Sequence, residues 1–177
     1  MQCKSQFFPL RVGTGYVEEK LRSILDKTKI VRLDSDSIAA YGSEQRLHNA
    51  IKSADIIIGT KKVLDIYDLK HATYLCLLLP EYHNNEYDYK YNEGIFQFIM
   101  EASDIIDSAN PLNKLVVQAL NPNNEVIHLA LQRKIDEFYI KELEWRSIYE
   151  YPPLVQLFKF EFSHIDGSYA AEEANRL

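Results

Sequence analysis

Four consecutive residues, Gly59-Thr60-Lys61-Lys62, combine groups that could grip a phosphodiester backbone. They follow the run Asp55-Ile56-Ile57-Ile58, so a strand end would deliver a hydroxyl, free backbone N–H groups and two ammonium ions to one spot. The plainer alternative, favoured on local grounds, is a Gly-Thr turn followed by a solvated helix start. Asp34 and Asp36 also follow a strand, at the edge where α/β sheets often bind ligands. As paired carboxylates they could hold a metal; as turn residues they would cap the next helix, the reading preferred here. Gly13-Thr14-Gly15 before a helix is a weak anion cradle and reads better as a glycine-permitted turn with a cap.

Other chemistry is thinly supplied. His48, His71, His83, His128 and His164 are scattered, and none has ligand spacing to a cysteine or another histidine, so no ordinary metal site is expected. Cys76 lies inside an apolar run and reads as an inert core thiol. No G-x-x-x-x-G-K-[ST] loop and no G-x-S-x-G elbow occurs. Tyr82, Tyr87, Tyr89 and Tyr91 could stack bases. Glu81, Glu86 and Asp88 lie among them and would repel phosphates, so the stretch reads as a packed or partner-facing loop.

The elements that must position these groups alternate. Val17, Leu21, Ile24 and Leu25 repeat at helical spacing, with Thr14 as the expected cap and Glu18 and Glu19 suited to the first turn. Ile30 to Leu33 reads as a short strand, and Leu47, Ala50 and Ile51 mark a second helix. Asp55 to Thr60 and Tyr74 to Leu79 are runs of the kind found in strands covered on both faces. Ile95, Phe98, Ile99, Ala102 and Ile106 form a helical stripe. Leu115 to Leu120 is a further strand. Asn124 can cap a long helix from Glu125 to about Tyr149, striped by Ile127, Leu131, Ile135 and Phe138. Glu137–Lys141 and Glu142–Arg146 fall at favourable i,i+4 spacing on that helix. Leu154 to Phe162 is strand-like, and Ser168 to Leu177 is a short terminal helix. Alternating elements predict an α/β layer with a mostly parallel sheet and helices on both faces. A boundary is expected near Tyr149 to Pro153, giving domains at 1–150 and 151–177, because one strand and one helix cannot bury a core alone.

Composition sets the outer bounds. The 177 residues carry 20 Lys plus Arg against 26 Asp plus Glu, a net charge of −6, which weighs against a strongly DNA-binding surface. Apolar residues make up 46% and charged residues 26%, which excludes a disordered tail. The apolar run Tyr74 to Pro80 is too short to span a bilayer, and no apolar h-region follows Met1. A cytoplasmic location without membrane contact is expected, and the two cysteines, Cys3 and Cys76, are too few for a disulfide framework.

Several segments together resemble the primosomal protein N′ family, the bacterial replication-restart DNA helicases. Gly13-Thr14-Gly15-Tyr16-Val17-Glu18-Glu19-Lys20-Leu21 is similar to the family's G-T-E-R-V-E-E-E-L, and Arg32-Leu33-Asp34-Ser35-Asp36-Ser37 to its R-x-D-x-D-T. Asp55 to Thr60 resembles D-I-L-I-G-T, the start of helicase motif V. The most specific piece runs from Asn121-Pro122 through Phe138-Tyr139, Glu142-Leu143 and Arg146 to Tyr151-Pro152-Pro153. It matches N-P…F-Y-x-x-E-L-x-x-R-x-x-x-x-Y-P-P. The resemblance covers about Cys3 to Phe162. It implies a RecA-like second helicase lobe followed by the start of a small α+β C-terminal domain. Gly59, Asp68, Glu81, Glu93 and Gln97 stand at motif positions. Cys3 resembles the last cysteine of a zinc insertion that otherwise lies upstream in the family.

The departures bear on mechanism. After Gly59-Thr60 the family reads Q-M-x-x-K-G-x-D-F, whereas here the lysine–glycine pair is Asp65-Ile66 and only Asp68 is kept. Motif VI, Q-V-A-G-R-A-G-R, is replaced by Glu101 to Ser108, and its two arginines by Ile105 and Ser108. Such arginines stabilise the transferred phosphoryl group, a contribution of about 10³–10⁵ in rate. Asp104 and Asp107 would add like charge beside it. No ATP hydrolysis by this chain alone is therefore expected, and no catalytic residue is assigned. For the family, the resemblance implies ATP with Mg²⁺ and zinc as cofactors and forked or single-stranded DNA as ligand. Replication-restart proteins or a single-strand-binding protein would be partners. Thr60, Lys61 and Lys62 are the DNA-contact candidates. The rival is a protein-interaction module that uses the Tyr82 to Tyr91 loop and binds no nucleic acid.

Overall fold

The computed structural model describes residues 13–66, 69, 71–82, 88–110 and 112–176, with backbone only at 35, 36, 65, 66, 108 and 109. Its elements are α1 (Thr14–Ile24), β1 (Ile30–Leu33), α2 (Ser35–Ala40), α3 (Glu44–Lys52), β2 (Ile56–Gly59), α4 (Lys62–Ile66) and β3 (Tyr74–Leu78). A 3₁₀ turn (Pro80–Tyr82), α5 (Tyr91–Ala109), β4 (Lys114–Gln118), α6 (Glu125–Leu131), α7 (Ile135–Ile148) and α8 (Gly167–Ala174) follow. The chain forms two compact units. One comprises Met1–Tyr82 with Met100–Leu120, the other His83–Ile99 with Asn121–Leu177. Helix α5 contributes its first turns to the second unit and the rest to the first.

In the first unit the expected parallel pairing is present, as two separate strand pairs. β1 pairs with β2, with Ile30 opposite Ile56 and Leu33 opposite Gly59. β3 pairs with β4, with Tyr74 opposite Lys114 and Leu78 opposite Gln118. Around β1–β2, Val31, Leu33, Leu47 and Val63 form a buried cluster with Ile38, Ala50, Ile51 and Ile57 packed against it. Each such buried aliphatic side chain contributes about 1.5–3 kcal/mol. α2 and α3 are separate helices because Gly42 turns the chain at φ 68°, a conformation that favours glycine, and Ser43 then caps α3 through the Arg46 N–H.

Three expectations about this unit are corrected. Thr14 does not cap α1: Gly13 is the N-cap, without a side-chain bond, and the Thr14 hydroxyl donates to Asp34 instead. Glu18 lies beyond the first turn and pairs with Arg22 and Arg32. β3 is not covered on both faces. Leu75 and Leu77 turn inward, while Tyr74, Cys76 and Leu78 are exposed, so Cys76 is no core thiol. A two-stranded pair has one face on the core, and the period of two sends every other side chain outward.

In the second unit, Ile95, Phe96 and Ile99 of α5 are almost fully buried. Phe96 stacks on Phe138 of α7 with ring centroids 4.0 Å apart. Asn124 caps α6 as expected, accepting from the Val126 N–H. The single long helix expected from Glu125 is instead two. Arg133 takes φ 56° between α6 and α7, and Leu131 and Ile135 beside the break are largely exposed, so the stripe does not run through. The expected strand at Leu154 to Phe162 is absent. The residues form no helix or strand, because no strand among the described residues pairs with them.

Candidate functional site

Gly59 ends β2, and its surroundings explain why the run stops on glycine. A Cβ there would lie 2.1 Å from Val63 Cγ2 and 3.1 Å from the Leu33 carbonyl oxygen. α4 thus folds straight back over the strand end. The Val63 N–H donates to the Thr60 carbonyl at 2.9 Å and the Leu64 N–H to the Lys61 carbonyl at 2.9 Å. With Val63 buried beneath the turn, Thr60 and Lys62 are left exposed at the carboxyl end of the sheet. Lys61 is half-buried, and its Nζ pairs with Glu101 Oε2 of α5 at 3.1 Å. The three DNA-contact candidates therefore share one turn, with one of the two ammonium groups held by a carboxylate. Spacing offers no sign of Glu101, because forty residues separate the partners.

The parallel register brings Asp34 to the same sheet edge, since Leu33 faces Gly59. Asp34 caps α2 in a reciprocal box: its Oδ1 accepts from the Ser37 N–H at 2.9 Å, and its own N–H donates to Ser37 Oγ at 2.9 Å. Its Oδ2 accepts from Thr14 Oγ1 at 2.7 Å and lies 2.9 Å from Arg32 Nε. The Thr14 hydroxyl, then the Ser37 N–H and hydroxyl and the Arg32 charge, outweigh burial and hold this carboxyl at about 2. Both oxygens are thus committed to fastening α1 and α2 to β1. The cap reading of Asp34 stands; the side chain of Asp36 lies outside the described set. Among the described residues no three His, Cys, Asp or Glu side chains cluster as a metal would require.

Glu81 sits in the 3₁₀ turn after β3, buried, and its Oε1 accepts from the Leu120 N–H at 2.8 Å. It ties the chain after β3 to the chain after β4, while the Leu79 N–H reaches the Gln118 carbonyl at 2.7 Å.

The most specific motif assembles in the second unit around Arg146. Its Nε donates to Glu142 Oε1 at 2.9 Å, its second guanidinium nitrogen to Glu93 Oε2 at 2.9 Å, and its third to the Pro152 carbonyl at 3.2 Å. Gln97 donates to the other oxygen of Glu93 at 3.2 Å. The guanidinium lies over the Tyr89 ring at 5.3 Å. Tyr89 stacks on Tyr151, and Tyr151 on Trp145. Glu142 and Arg146 are both more than nine-tenths buried. Burial alone would lower the arginine's pKa, but its bonds to Glu93 and Glu142 overcome this and raise it. The motif spacing therefore encodes a buried fork that joins α5, α7 and the Tyr151-Pro152 turn. Glu93 and Gln97, expected at motif positions, belong to this fork. The expected i,i+4 pair of Glu142 and Arg146 forms; the role of Arg146 as hub, through Glu93 and the Pro152 carbonyl, follows from the geometry alone. Tyr89 is packed within the unit. The expected Glu137–Lys141 pair also forms, at 3.5 Å.

Cys3, Asp68, Glu86 and Tyr87 lie outside the described residues, and Ser108 is described in its backbone only. Ile105 is half-buried on α5, with Asp104 and Asp107 exposed beside it. No helix among the described residues is long and apolar enough to cross a membrane.

No family model matches the chain. It is 26% identical over 167 residues to replication restart protein PriA of Chlamydia pneumoniae, covering 93% of this chain and 22% of that protein. It is 26% identical over 167 residues to PriA of Bacillus subtilis, covering 93% and 21%. With PriA of Borreliella burgdorferi it shares 27% over 164 residues, covering 91% and 24%. The chain therefore spans about a fifth to a quarter of the length of these curated relatives. The motif resemblance is borne out: over more than nine-tenths of its length, this chain is similar to a segment of replication restart protein PriA.

Proposed function

We propose that the chain serves in replication restart as a DNA-contacting unit without a motor of its own. The RecA-like helicase lobe implied by the motifs is its architecture in this reading. Thr60 and Lys62 meet the phosphodiester backbone at the end of β2, and Lys61 joins them as Glu101 gives way. The observation that carries the reading is the Gly59-Thr60-Lys61-Lys62 turn: an exposed hydroxyl and ammonium at a cramped strand end, within a PriA-like segment. Phosphate contacts of this kind position a protein on DNA without reading sequence. Ile105 and Ser108, standing where the family has arginines, supply no guanidinium for phosphoryl transfer. Asp104 and Asp107 add negative charge nearby. ATP, Mg²⁺ and zinc belong to the family expectation and are assigned to no residue of this chain.

A second reading is a protein-interaction module that binds no nucleic acid. The Lys61–Glu101 pair and the net charge of −6 favour it. Fluorescence anisotropy with forked DNA separates the two. The DNA reading predicts binding at about 50 mM salt that weakens steeply by about 200 mM. It also predicts loss of binding in Lys61→Glu/Lys62→Glu. Absence of binding at low salt, or equal binding by the variant, favours the interaction module.

A further inference from the structure

The net charge of −6 is not shared between the two units. Met1–Tyr82 with Met100–Leu120 has 13 Lys plus Arg and 13 Asp plus Glu, so the first unit is formally neutral. His83–Ile99 with Asn121–Leu177 has 7 against 13, so the second carries the whole excess. Ion pairing widens the difference. In the second unit Lys134, Lys141, Arg146, Lys159 and Arg176 are each held by a carboxylate, and Lys90 lies over the Tyr89 ring. The exposed Asp136, Glu144, Glu150 and Glu172 are in no ion pair among the described residues. The first unit keeps cations uncommitted: the exposed Lys27, Lys29, Arg46, Lys52 and Lys62 are in no ion pair among the described residues. Glu19, Asp26, Glu44 and Asp55 are exposed and in no ion pair there as well, so that unit presents charge of both signs.

A polyanion tells the two units apart. Binding DNA releases counterions only where protein cations reach phosphates, and a lysine already held by a carboxylate must first give up that pair. At physiological salt a charge is felt over about 8 Å, so each surface answers to its own groups and not to the total of the chain. We propose, resting on the DNA reading of the β2 turn, that nucleic-acid contact by this chain is confined to the first unit and that the second is a polyanion-repelling body. Lys62, exposed and in no ion pair, stands on the accepting side; Glu144 of α7 and Glu150 just beyond that helix stand on the repelling one. The charge that weighs against DNA binding is then a property of the second unit alone, and Thr60 and Lys62 belong to a formally neutral one.

The test uses the full 177-residue chain and forked DNA. Acetylation of lysines in the wild type, followed by mass spectrometry with and without DNA, should slow at Lys62 and keep its rate at Lys90, Lys134, Lys141 and Lys159. Lys90→Ala/Lys134→Ala/Lys159→Ala should keep the wild-type affinity and salt slope, whereas phosphate contacts at all three positions would make the slope smaller by about three in that variant. Slower acetylation of second-unit lysines alongside Lys62, or a slope reduced by about one or more in the triple variant, would overturn the confinement and leave the DNA reading of the β2 turn intact. Protection of second-unit lysines without Lys62, or no binding at low salt, would overturn both.

Discussion

Replacing Arg146 by methionine keeps the bulk of the stem and removes the fork. Three bonds go at once: those to Glu142 and Glu93, at 2.9 Å each, and that to the Pro152 carbonyl at 3.2 Å. The larger effect is what remains. Glu142 is only 5% exposed and would be left inside the unit without its counterion. Breaking one side of a buried ion pair in this way costs about 3–5 kcal/mol. Against a typical total of about 5–15 kcal/mol, that is a large part of the stability of a small unit. Trp145 is the sole tryptophan and stacks on Tyr151 at 5.5 Å, so its fluorescence reports the same unit. Urea unfolding followed at Trp145 should show Arg146→Met less stable by about 3–5 kcal/mol, with Arg146→Lys in between because an ammonium cannot fork. Adding Glu142→Leu should recover part of the loss by removing the stranded carboxylate. A loss below about 1 kcal/mol for Arg146→Met would refute the claim that this motif arginine is a buried hub.

The other expectations concern the first unit. Asp34 is held at about 2 against an ordinary 3.8, so folding favours its ionised form. That stability, about 2 kcal/mol, is fully present above pH 3.8 and is lost as pH falls through about 2. The stability difference between wild type and Asp34→Asn, which can still cap, should therefore shrink over that interval in acid unfolding; a constant difference contradicts the assignment. Gly59→Ala drives a methyl to within 2.1 Å of Val63 Cγ2. It should cost about 1–3 kcal/mol in thermal unfolding, with partial recovery in Gly59→Ala/Val63→Ala. Glu101→Gln releases Lys61 from its carboxylate and should tighten forked-DNA binding about threefold at low salt, as measured by anisotropy.

Local pattern carried most of the elements. The β-branched run at Ile56 to Ile58 and the α5 stripe of Ile95, Ile99, Ala102 and Ile106 are legible because burial imposes a period that the residue types record. Where the pattern misled, a partner decided. Thr14 suits a cap, but Asp34, twenty residues on, takes its hydroxyl. The aliphatic run in β3 suits double burial, but pairing with β4 alone leaves Tyr74, Cys76 and Leu78 outside. The helical stripe through Leu131 and Ile135 continues on paper across Arg133, whose positive φ breaks the helix. Phe158 to Phe162 alternates as a strand should, and a strand exists only with a neighbour. At the candidate site, the turn at Gly59 was readable from its residue types. Its electrostatics were not, because Glu101 is distant in the chain.

The central claim is that the end of β2 touches DNA phosphate, and the salt dependence of binding tests it most directly. Plotting the logarithm of the forked-DNA binding constant against that of salt concentration gives a slope that counts neutralised phosphates. Replacing one phosphate-contacting lysine should reduce that slope by about one. The account predicts this reduction for Lys62→Ala and no change for Lys20→Ala on α1. Equal slopes for wild type and Lys62→Ala would contradict it.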